Sequence, residues 1–488
     1  MAINTALFTN LLSPGVFLNE NTAGYRIVEI ASFQTVYCFG SAATGVSLVP
    51  VLIQSYADFQ NQFSVSPSAN AVKLFFRNNP QGTFYFIRIS IAPAQILTVN
   101  TKVLGANTIS INGGSPLTYT ALAADTLATI ASGLLALINA DPVASLVVTA
   151  YPGSTTDKIV VRSNNTATFT LTKTLGDILF TAVAPTVVNS IDYTSAIGSV
   201  FGANESWKQG FVIVPEAYQN LTAPSDVLAV SNAIQILCSN INFDWIGIID
   251  NAAYSTTILA LQTEGAAIVS PKGHLSYYAP YVTDLENNAV PVSAAIAGIW
   301  TKRIREQGIQ QPPAGKLYPI QGVLDVAVKY SNADQNILNP LNINLVRNLR
   351  NKGIVSWGMR TRSSDSYYTQ SVTRVIMSVL NGTLRDAFDT ELFTSIDGQG
   401  ILLLRIEETA KSVCRRLWQS GSLFGETESD AFAVLCSFVN NNPANINLGN
   451  VLLEVYASTS PAVEKILVST VKVNIGQVQS SIASGIQL

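Results

Sequence analysis

The sequence predicts a multidomain protein of mixed α/β and α+β architecture, and three observations support this. The chain has 488 residues, more than one hydrophobic core usually organises, which favours about three domains. Strands alternate with helices between Phe211 and Tyr281, which indicates a mostly parallel sheet covered on both faces. Between about Ala94 and Val187 the sequence becomes rich in threonine and turn residues, which indicates an inserted β-rich domain.

Composition narrows the class of protein. Charged residues make up 12% of the chain, about half the usual 25%, so we expect much of the surface to lie in permanent contacts. The net charge of −3 gives no sign of a nucleic-acid partner. We predict no membrane span and no secretion signal, because there is no long apolar run and no basic N-terminal region. We expect Cys38, Cys238, Cys414 and Cys436 to be buried reduced thiols, because their spacing fits no metal site.

The N-terminal stretch predicts an arm. Ser13-Pro14-Gly15 precedes the alternating run Val16–Glu20, which has the pattern of a strand but no local partner. A strand without a local partner must pair elsewhere. The alternative, a frayed terminus, stays open.

Residues 26–91 predict the order strand, loop, strand, helix, helix, strand. Ser55 and Asp58 have the spacing of a helix N-terminal capping box. The predicted elements are strands Thr35–Gly40, Val51–Gln54 and Gly82–Arg88, a helix after Ser55 and a helix over Ala69–Arg77.

The β-rich insertion begins with a hairpin signal, because Asn112-Gly113-Gly114 separates two alternating runs. The predicted elements are strands Thr108–Ile111 and Leu117–Thr120, a helix from Asp125, and strands Leu146–Tyr151, Lys158–Arg162 and Ala167–Thr172.

The α/β pattern then resumes, with apolar runs bounded by turn residues for the strands and 3.6-residue periodicity for the helices. The predicted strands are Phe211–Val214, Trp245–Ile249, Ala266–Val269, Leu275–Tyr281, Val323–Val328 and Ile354–Met359. The predicted helices are Asp226–Cys238, Thr256–Thr263, one over Val290–Trp300 and a short one opened by Ser331, followed by an Asn-rich loop over Ile337–Asn344.

Residues 363–477 predict a smaller α+β domain with two amphipathic helices. One helix carries a stripe from Val372 to Val379; the other carries a stripe from Ile406 to Leu417 and stops at Gly421. Strand-like runs follow at Phe432–Phe438, Val451–Ala457 and Ile466–Ile475. The polar face of the second helix carries Arg405, Glu407, Glu408, Lys411, Arg415 and Arg416.

Catalysis is disfavoured, because His274 is the only histidine of the chain and no nucleophile, phosphate-loop or metal motif occurs. We predict a surface or turn position for His274. Glu407 and Glu408 point apart on one helix, and Asp386 and Asp389 are expected to be solvated. Asp397-Gly398-Gln399-Gly400 is interpreted as a loop. We therefore predict no enzyme, no cofactor and no metal.

Several phrases of the sequence together resemble the contractile tail sheath proteins of phages and related injection machines. They are Asp334-Gln335 followed by Leu338-Asn339 and Ile343-Asn344, then Gly353-Ile354, Trp357-Gly358 and Arg360-Thr361. Further phrases are Pro14-Gly15-Val16-Phe17, Val290-Pro291 with Ser293, Arg305-Glu306 with Gly308, and Trp418, Gly421, Leu423, Gly425, Ala431 and Phe432.

The resemblance implies a structural protomer that polymerises helically around an inner tube and contracts, driving the tube through a target envelope without a nucleotide. The implied partners are further copies of the chain, the inner tail tube protein, and baseplate and tail terminator proteins; the implied location is a virion tail assembled in the bacterial cytoplasm. The α/β domain of such proteins is called subtilisin-like for its topology alone. Two other interpretations stay open: the sheath of a cellular injection system or tail-like bacteriocin, and an α/β hydrolase.

The predicted domains follow from these patterns together with the resemblance. They are an arm exchanged with a neighbour (1–25), a discontinuous α/β domain (26–93 plus 188–362), a surface insertion (94–187), a tube-facing α+β domain (363–464) and a second arm (465–488). The residues predicted to link protomers are Val16, Phe17, Leu18 and Asn19 in the first arm and Val468, Ser469, Thr470, Val471, Lys472 and Val473 in the second. Lys411, Arg415 and Arg416 are predicted to contact the tube, with a solvated helix face as the alternative.

Overall fold

The structure, a computed structural model, describes residues 29–89, 93–153, 155–164, 168–183, 189–202, 207–468, 470 and 472. These residues form 20 strands and 14 α-helices. The first part of the chain contains β1 (Thr35–Gly40), β2 (Val51–Ile53), α1 (Tyr56–Phe63), α2 (Ala69–Asn78), β3 (Thr83–Arg88), β4 (Ala94–Thr101), β5 (Gly105–Ile111), β6 (Leu117–Ala121), α3 (Leu127–Ala140), α4 (Ala144–Val147), β7 (Val148–Pro152), β8 (Lys158–Ser163), β9 (Leu171–Leu175) and β10 (Asp177–Val183).

The second part begins with a helix and continues the alternation of strands and helices. It contains α5 (Ser190–Ser199), β11 (Gly210–Ile213), α6 (Pro215–Asn220), α7 (Pro224–Ser239), β12 (Ile246–Asp250), α8 (Ile258–Ala267), β13 (Leu275–Ala279), β14 (Val282–Asp284), β15 (Ala289–Val290), α9 (Ser293–Gln307), β16 (Val323–Val326), α10 (Asn332–Leu338), β17 (Asn344–Leu349), β18 (Gly353–Ser356), α11 (Ser371–Phe388), α12 (Ile401–Gln419), α13 (Glu428–Ala431), β19 (Phe432–Leu435), α14 (Pro443–Asn447) and β20 (Glu454–Ala457).

An eight-stranded sheet lies at the centre, in the order β18-β17-β13-β12-β11-β1-β3-β2. Its inner six strands run parallel, and β18 and β2 close the two edges as antiparallel partners. Side chains of α1, α2 and α9 pack on one face, and those of α5 to α8 pack on the other. Every residue of β1, β11, β12 and β13 is buried. The predicted parallel sheet with two covered faces is confirmed.

Residues 94–183 form two further sheets, β10-β4-β8-β7 and β6-β5-β9, around α3. They share a core of their own, which includes Leu97, Ile109, Leu134 and Val161. The predicted hairpin is present as β5 paired with β6. Arg162 of β8 forms a buried ion pair with Asp192 of α5, so a charged contact joins this β-rich region to the rest of the chain.

The C-terminal part packs α11 and α12 together and adds the two-stranded sheet β19-β20. Val375 of α11, Val413 and Leu417 of α12, and Phe432 of β19 belong to the same hydrophobic cluster as one face of the central sheet. This continuity means that the C-terminal part is packed on the sheet. The predicted domain boundaries stay predictions.

Several sequence predictions are wrong in detail. Ala266–Val269 is not a strand, because α8 runs through Ala267 and an irregular segment follows it. β17 begins at Asn344, the last residue of the predicted Asn-rich loop, where no strand was predicted. In the insertion, β4 and β10 were not predicted, and β9 starts at Leu171, four residues later than expected. His274 follows a turn as predicted, but its side chain is buried.

Candidate strand-exchange surface

The small sheet β19-β20 has the geometry of a strand acceptor. Phe432 pairs with Ala457, and Leu435 pairs with Glu454, in an antiparallel register. Among the described residues no further strand pairs with either of them, so each strand has an outer edge of backbone N–H and C=O groups. Val434 and Val455 lie against the main core, so the sheet is anchored, and among the described residues no further strand covers its edges. Such an edge is the usual site at which a segment of another chain is added.

The chain that leaves β20 is held to the body over a short stretch. Ser460 donates from its backbone N–H to the carbonyl of Ser422 at 2.9 Å. Ala462 then exchanges two hydrogen bonds with the side-chain amide of Gln370, at 2.9 and 3.0 Å. Glu464 forms a two-point ion pair with the guanidinium of Arg360, at 3.0 and 2.5 Å. The described contacts of the segment end at Glu464.

Beyond this point the segment exposes its apolar side chains. Ile466, Leu467 and Val468 are exposed by 80%, 92% and 75%, and Val463 before them by 75%. Residues 465–468 form no regular secondary structure. Four large apolar side chains exposed within six residues are unusual for a surface that faces water in the working protein. The segment therefore has the character of an interface that needs a second surface.

The structure describes only part of the predicted linking residues. Val16, Phe17, Leu18 and Asn19 lie outside the described residues, as do Ser469, Val471 and Val473. Val468, Thr470 and Lys472 are described as exposed residues without regular structure. Strand exchange at these positions thus stays a prediction.

The predicted tube-contacting cations on α12 already have acidic partners. Lys411 contacts Glu407 at 2.7 Å and Glu408 at 2.9 Å. Arg415 forms a two-point contact with Glu428, at 3.0 and 2.8 Å. Arg416 is half-buried on the same helix. Because these carboxylates compensate Lys411 and Arg415, the face carries less positive charge than its basic residues alone suggest.

His274, the only histidine of the chain, is buried among polar contacts that belong to the fold. His274 Nδ1 lies 2.9 Å from the carbonyl oxygen of Trp245 and 3.6 Å from Asp244. Burial, followed by the charge of Arg374, lowers the pKa of His274. Asp244 also accepts from Arg374 at 3.2 Å and from Ser378 at 3.1 Å. These contacts join α11 to the central sheet, so they explain the histidine without catalysis.

Two buried carboxylates were not found from the sequence. Glu216 accepts from the backbone and the hydroxyl of Ser41 and, at 2.7 Å, from the hydroxyl of Ser68; burial raises its pKa. Asp250 lies at the end of β12 and accepts from the backbone N–H of Ser293 at 2.8 Å. A carboxylate near the N-terminus of α9 interacts favourably with the dipole of that helix. Both groups bond to the backbone or to hydroxyls, so both act within the fold.

The remaining sequence candidates have local partners. The loop 397–400 precedes α12, and the Asp397 carboxylate accepts from the backbone N–H groups of Ile401 and Leu402, at 2.9 and 2.8 Å. The N-terminus of α12 is therefore capped by the chain's own carboxylate. Asp386 and Asp389 are exposed, as predicted. The four cysteines are buried free thiols, also as predicted. The part of the chain that the structure describes contains no group of three or more metal-ligating side chains suited to an ion.

No helix among the described residues has the length and apolarity that a membrane crossing would need. The architecture is thus a central α/β sheet with a β-rich insertion, a packed α+β part and an exposed apolar segment beyond it.

Solved structures with the same fold include proteins of contractile sheaths. The chain is similar to a protein in the baseplate of the anti-feeding prophage, with a TM-score of 0.59 and 17% identity over 95% of this chain and 99% of that one. It is similar to the sheath of an extracellular contractile injection system in its contracted state, with a TM-score of 0.60 and 15% identity over 95% and 98%. A sheath tail protein of Desulfitobacterium hafniense matches at a TM-score of 0.50 and 10% identity over 86% and 93%.

The chain therefore has the fold of contractile sheath proteins, and the predicted mixed α/β multidomain class is confirmed. The sequence matches no protein-family model and no curated protein. Sequence identities of 10–17% mean that the three-dimensional arrangement carries this similarity.

Proposed function

We propose that this protein is the protomer of a contractile sheath, which polymerises helically around an inner tube and shortens to drive the tube through a target envelope. The exposed apolar side chains of Val463, Ile466, Leu467 and Val468 carry the proposal, because the described residues leave them uncovered. The sheath fold supports the same interpretation. Energy would be stored in the contacts between protomers, so the mechanism needs neither a nucleotide nor a cofactor.

Strand exchange would link the protomers. In this proposal the segments Val16–Asn19 and Val468–Val473 leave their own protomer and add to the open edges of β19-β20 in neighbouring protomers. Backbone hydrogen bonds would supply the affinity, and alternate side chains would select the register. A contact of this head-to-tail kind repeats into a helical polymer instead of closing into a ring. The domain boundaries given above and the subtilisin-like topology, used without catalysis, belong to the same proposal.

The partners follow from the assembly. They are further copies of the chain, the inner tail tube protein, and the baseplate and tail terminator proteins that end the polymer. Lys411, Arg415 and Arg416 are proposed to contact the tube, and the acidic partners of Lys411 and Arg415 would limit that attraction to short range. The proposed location is a phage virion tail, with assembly in the bacterial cytoplasm.

Polymerisation of purified protein tests the proposal directly. Deletion of residues 1–20, and separately the pair Ile466→Asp and Leu467→Asp, should give folded protomers that no longer form sheaths in electron micrographs. Leu104→Asp with Leu122→Asp is the matched control, because it removes two exposed leucines from the β-rich insertion. Normal sheaths from both arm variants would contradict the proposal.

The sheath of a cellular injection system or a tail-like bacteriocin would share this fold and these linking segments. Two of the similar structures come from an anti-feeding prophage and an extracellular contractile injection system. Electron microscopy of the native particle distinguishes these machines, because only a phage tail is joined to a capsid. A hydrolase finds no support in the buried environment of His274.

A further inference from the structure

We propose that Arg360 and Gln370 form a clamp that fixes the point at which the C-terminal arm leaves the protomer. This inference rests on the proposed function, because it assigns the clamp the task of aiming a linking arm. The clamp consists of Arg360, Gln370, Ala462 and Glu464, all of which the structure describes.

The two clamp side chains come from adjacent backbone segments. Arg360 and Gln370 face each other in an isolated antiparallel bridge. Arg360 is fixed further by its own backbone, whose N–H donates to Asn344 Oδ1 at 2.6 Å, and by its guanidinium, which donates to the carbonyl of Asn339 at 3.2 Å. The clamp is therefore built on the rigid end of the central sheet, since Asn344 is the first residue of β17.

The clamp recognises the arm in two different ways. The Gln370 amide accepts from the N–H of Ala462 and donates to its C=O, so it pairs with the backbone as a neighbouring strand would. Arg360 recognises one side chain, because its planar guanidinium matches the carboxylate of Glu464 at two points. The side chains of Arg360 and Glu464 are only 18% and 22% exposed, so water screens this pair less than a surface ion pair.

The position of the clamp along the chain indicates its task. β20 ends at Ala457 and belongs to the small sheet, whereas Ala462 and Glu464 are attached beside the central sheet. The exposed side chains of Ile466, Leu467 and Val468 follow, beginning two residues after Glu464. A force applied to the arm would thus be transmitted to the central sheet through Glu464 before it acted on the acceptor strands β19 and β20. The clamp would keep those strands in place while protomers move.

Limited proteolysis of the isolated protomer tests the clamp without any polymer. Lys465 directly follows the clamp and is exposed, so trypsin cuts there at a rate that reports how often the segment is released. Glu464→Gln should raise this rate about fivefold, the effect expected for one partly screened two-point ion pair. Cleavage after Lys352, in the β17–β18 turn, is the internal reference and should not change.

A double-mutant cycle separates the clamp from a general loss of structure. In an Arg360→Gln background, Glu464→Gln should add almost nothing to the cleavage rate at Lys465, because the pair is already broken. Glu391→Gln is the matched control, since it breaks a similar ion pair between Glu391, in the turn after α11, and Arg405 of α12. Independent, additive effects of the two clamp substitutions would overturn the proposal.

Assembly gives the second readout. If the wild-type protein forms sheaths, Glu464→Gln should form fewer and shorter ones at the same protein concentration, and Glu391→Gln should match wild type. Faster cleavage at Lys465 combined with unchanged sheaths would overturn the aiming role. Failure of the wild-type chain to polymerise would refute the proposed function instead, whatever the proteolysis shows.

Discussion

The carboxylate of Asp250 accepts a hydrogen bond from the backbone N–H of Ser293 at 2.8 Å, and both residues are completely buried. This contact joins the end of β12 to the start of α9, a helix whose first nine residues are all buried. The central sheet and its most deeply buried helix are thus connected through one ionisable group.

Asp250 should make stability depend on pH. Burial raises its pKa to about 7 from an ordinary value of 3.8, so the folded state holds a proton that the unfolded state has already lost. The contribution of this group to stability is therefore fully present below about pH 4 and falls, by a few kcal/mol, as the pH rises to about 7.

Asp250→Asn should remove this slope, because the amide does not titrate and still accepts from Ser293. The stability difference between the variant and wild type, measured by urea unfolding, should grow in favour of the variant between about pH 4 and pH 7. Asp386→Asn, on the surface, is the control. A constant difference across this range would show that Asp250 does not titrate there.

The polar contacts of Asp244 should be essential for the docking of α11. Asp244→Ala leaves Arg374 as a buried charge without its carboxylate, a change that usually costs about 3–5 kcal/mol. The double variant Asp244→Ala with Arg374→Met should lose less stability than Asp244→Ala alone, because the unpaired charge of Arg374 has been removed. Thermal unfolding and urea titration measure both effects. Equal losses in the single and double variants would contradict this account.

Replacement of Gly382 by alanine should not stabilise α11, although Gly→Ala normally stabilises a helix. It lies inside α11, where Gly→Ala is ordinarily worth up to about 1 kcal/mol. Here an added Cβ atom would lie 2.6 Å from Cδ of Gln209. That amide is buried and donates to the carbonyls of Phe243 and Ser378, so it cannot move without losing hydrogen bonds.

We therefore expect Gly382→Ala to destabilise the fold by about 1–3 kcal/mol, the usual cost of overpacking. Gly398→Ala serves as the control, because a Cβ atom there meets nothing within 4 Å. Urea unfolding of both variants gives the comparison. A gain in stability at Gly382 would mean that Gln209 repacks freely.

The basic face of α12 gives a prediction about the tube. If Lys411, Arg415 and Arg416 contact it electrostatically, Arg415→Glu with Arg416→Glu should reduce co-assembly of sheath and tube at low salt, and added salt should weaken the wild-type interaction. The reversal also places Arg415→Glu next to Glu428, so Glu428→Lys should be added to keep that pair matched. Unchanged co-assembly at low salt would remove the tube-contact proposal.

The sequence was informative where pattern decides structure. The apolar runs of β1, β11 and β12 and the stripes of α11 and α12 are local signals, and the structure confirms them. β17 was missed because it begins with Asn344, a residue that disfavours strands. The Asn344 amide donates to the carbonyls of Tyr277 and Arg360. Contacts between residues this far apart in the chain produce no periodic pattern in the sequence.

The candidate site was predicted in part. The alternating run from Ile466 indicated an arm; Ile466, Leu467 and Val468 are exposed, and the arm itself stays a prediction. The clamp was not foreseen, because Arg360 and Glu464 are 104 positions apart. His274 was misplaced for a related reason: its burial depends on α11, which follows it by about 100 residues in the chain.

The pairing of β1 with β11 has a consequence for synthesis. Thr35 and Gly210 are 175 positions apart, so the ribosome must complete the whole β-rich insertion before the middle of the central sheet can close. The insertion has its own core, and β1 can pair with β3 before β11 has been synthesised, which leaves the other edge of β1 without its partner. During this interval the apolar edge of β1 could pair with another nascent chain. We therefore expect this stage of synthesis to be the one at which the chain most needs a chaperone.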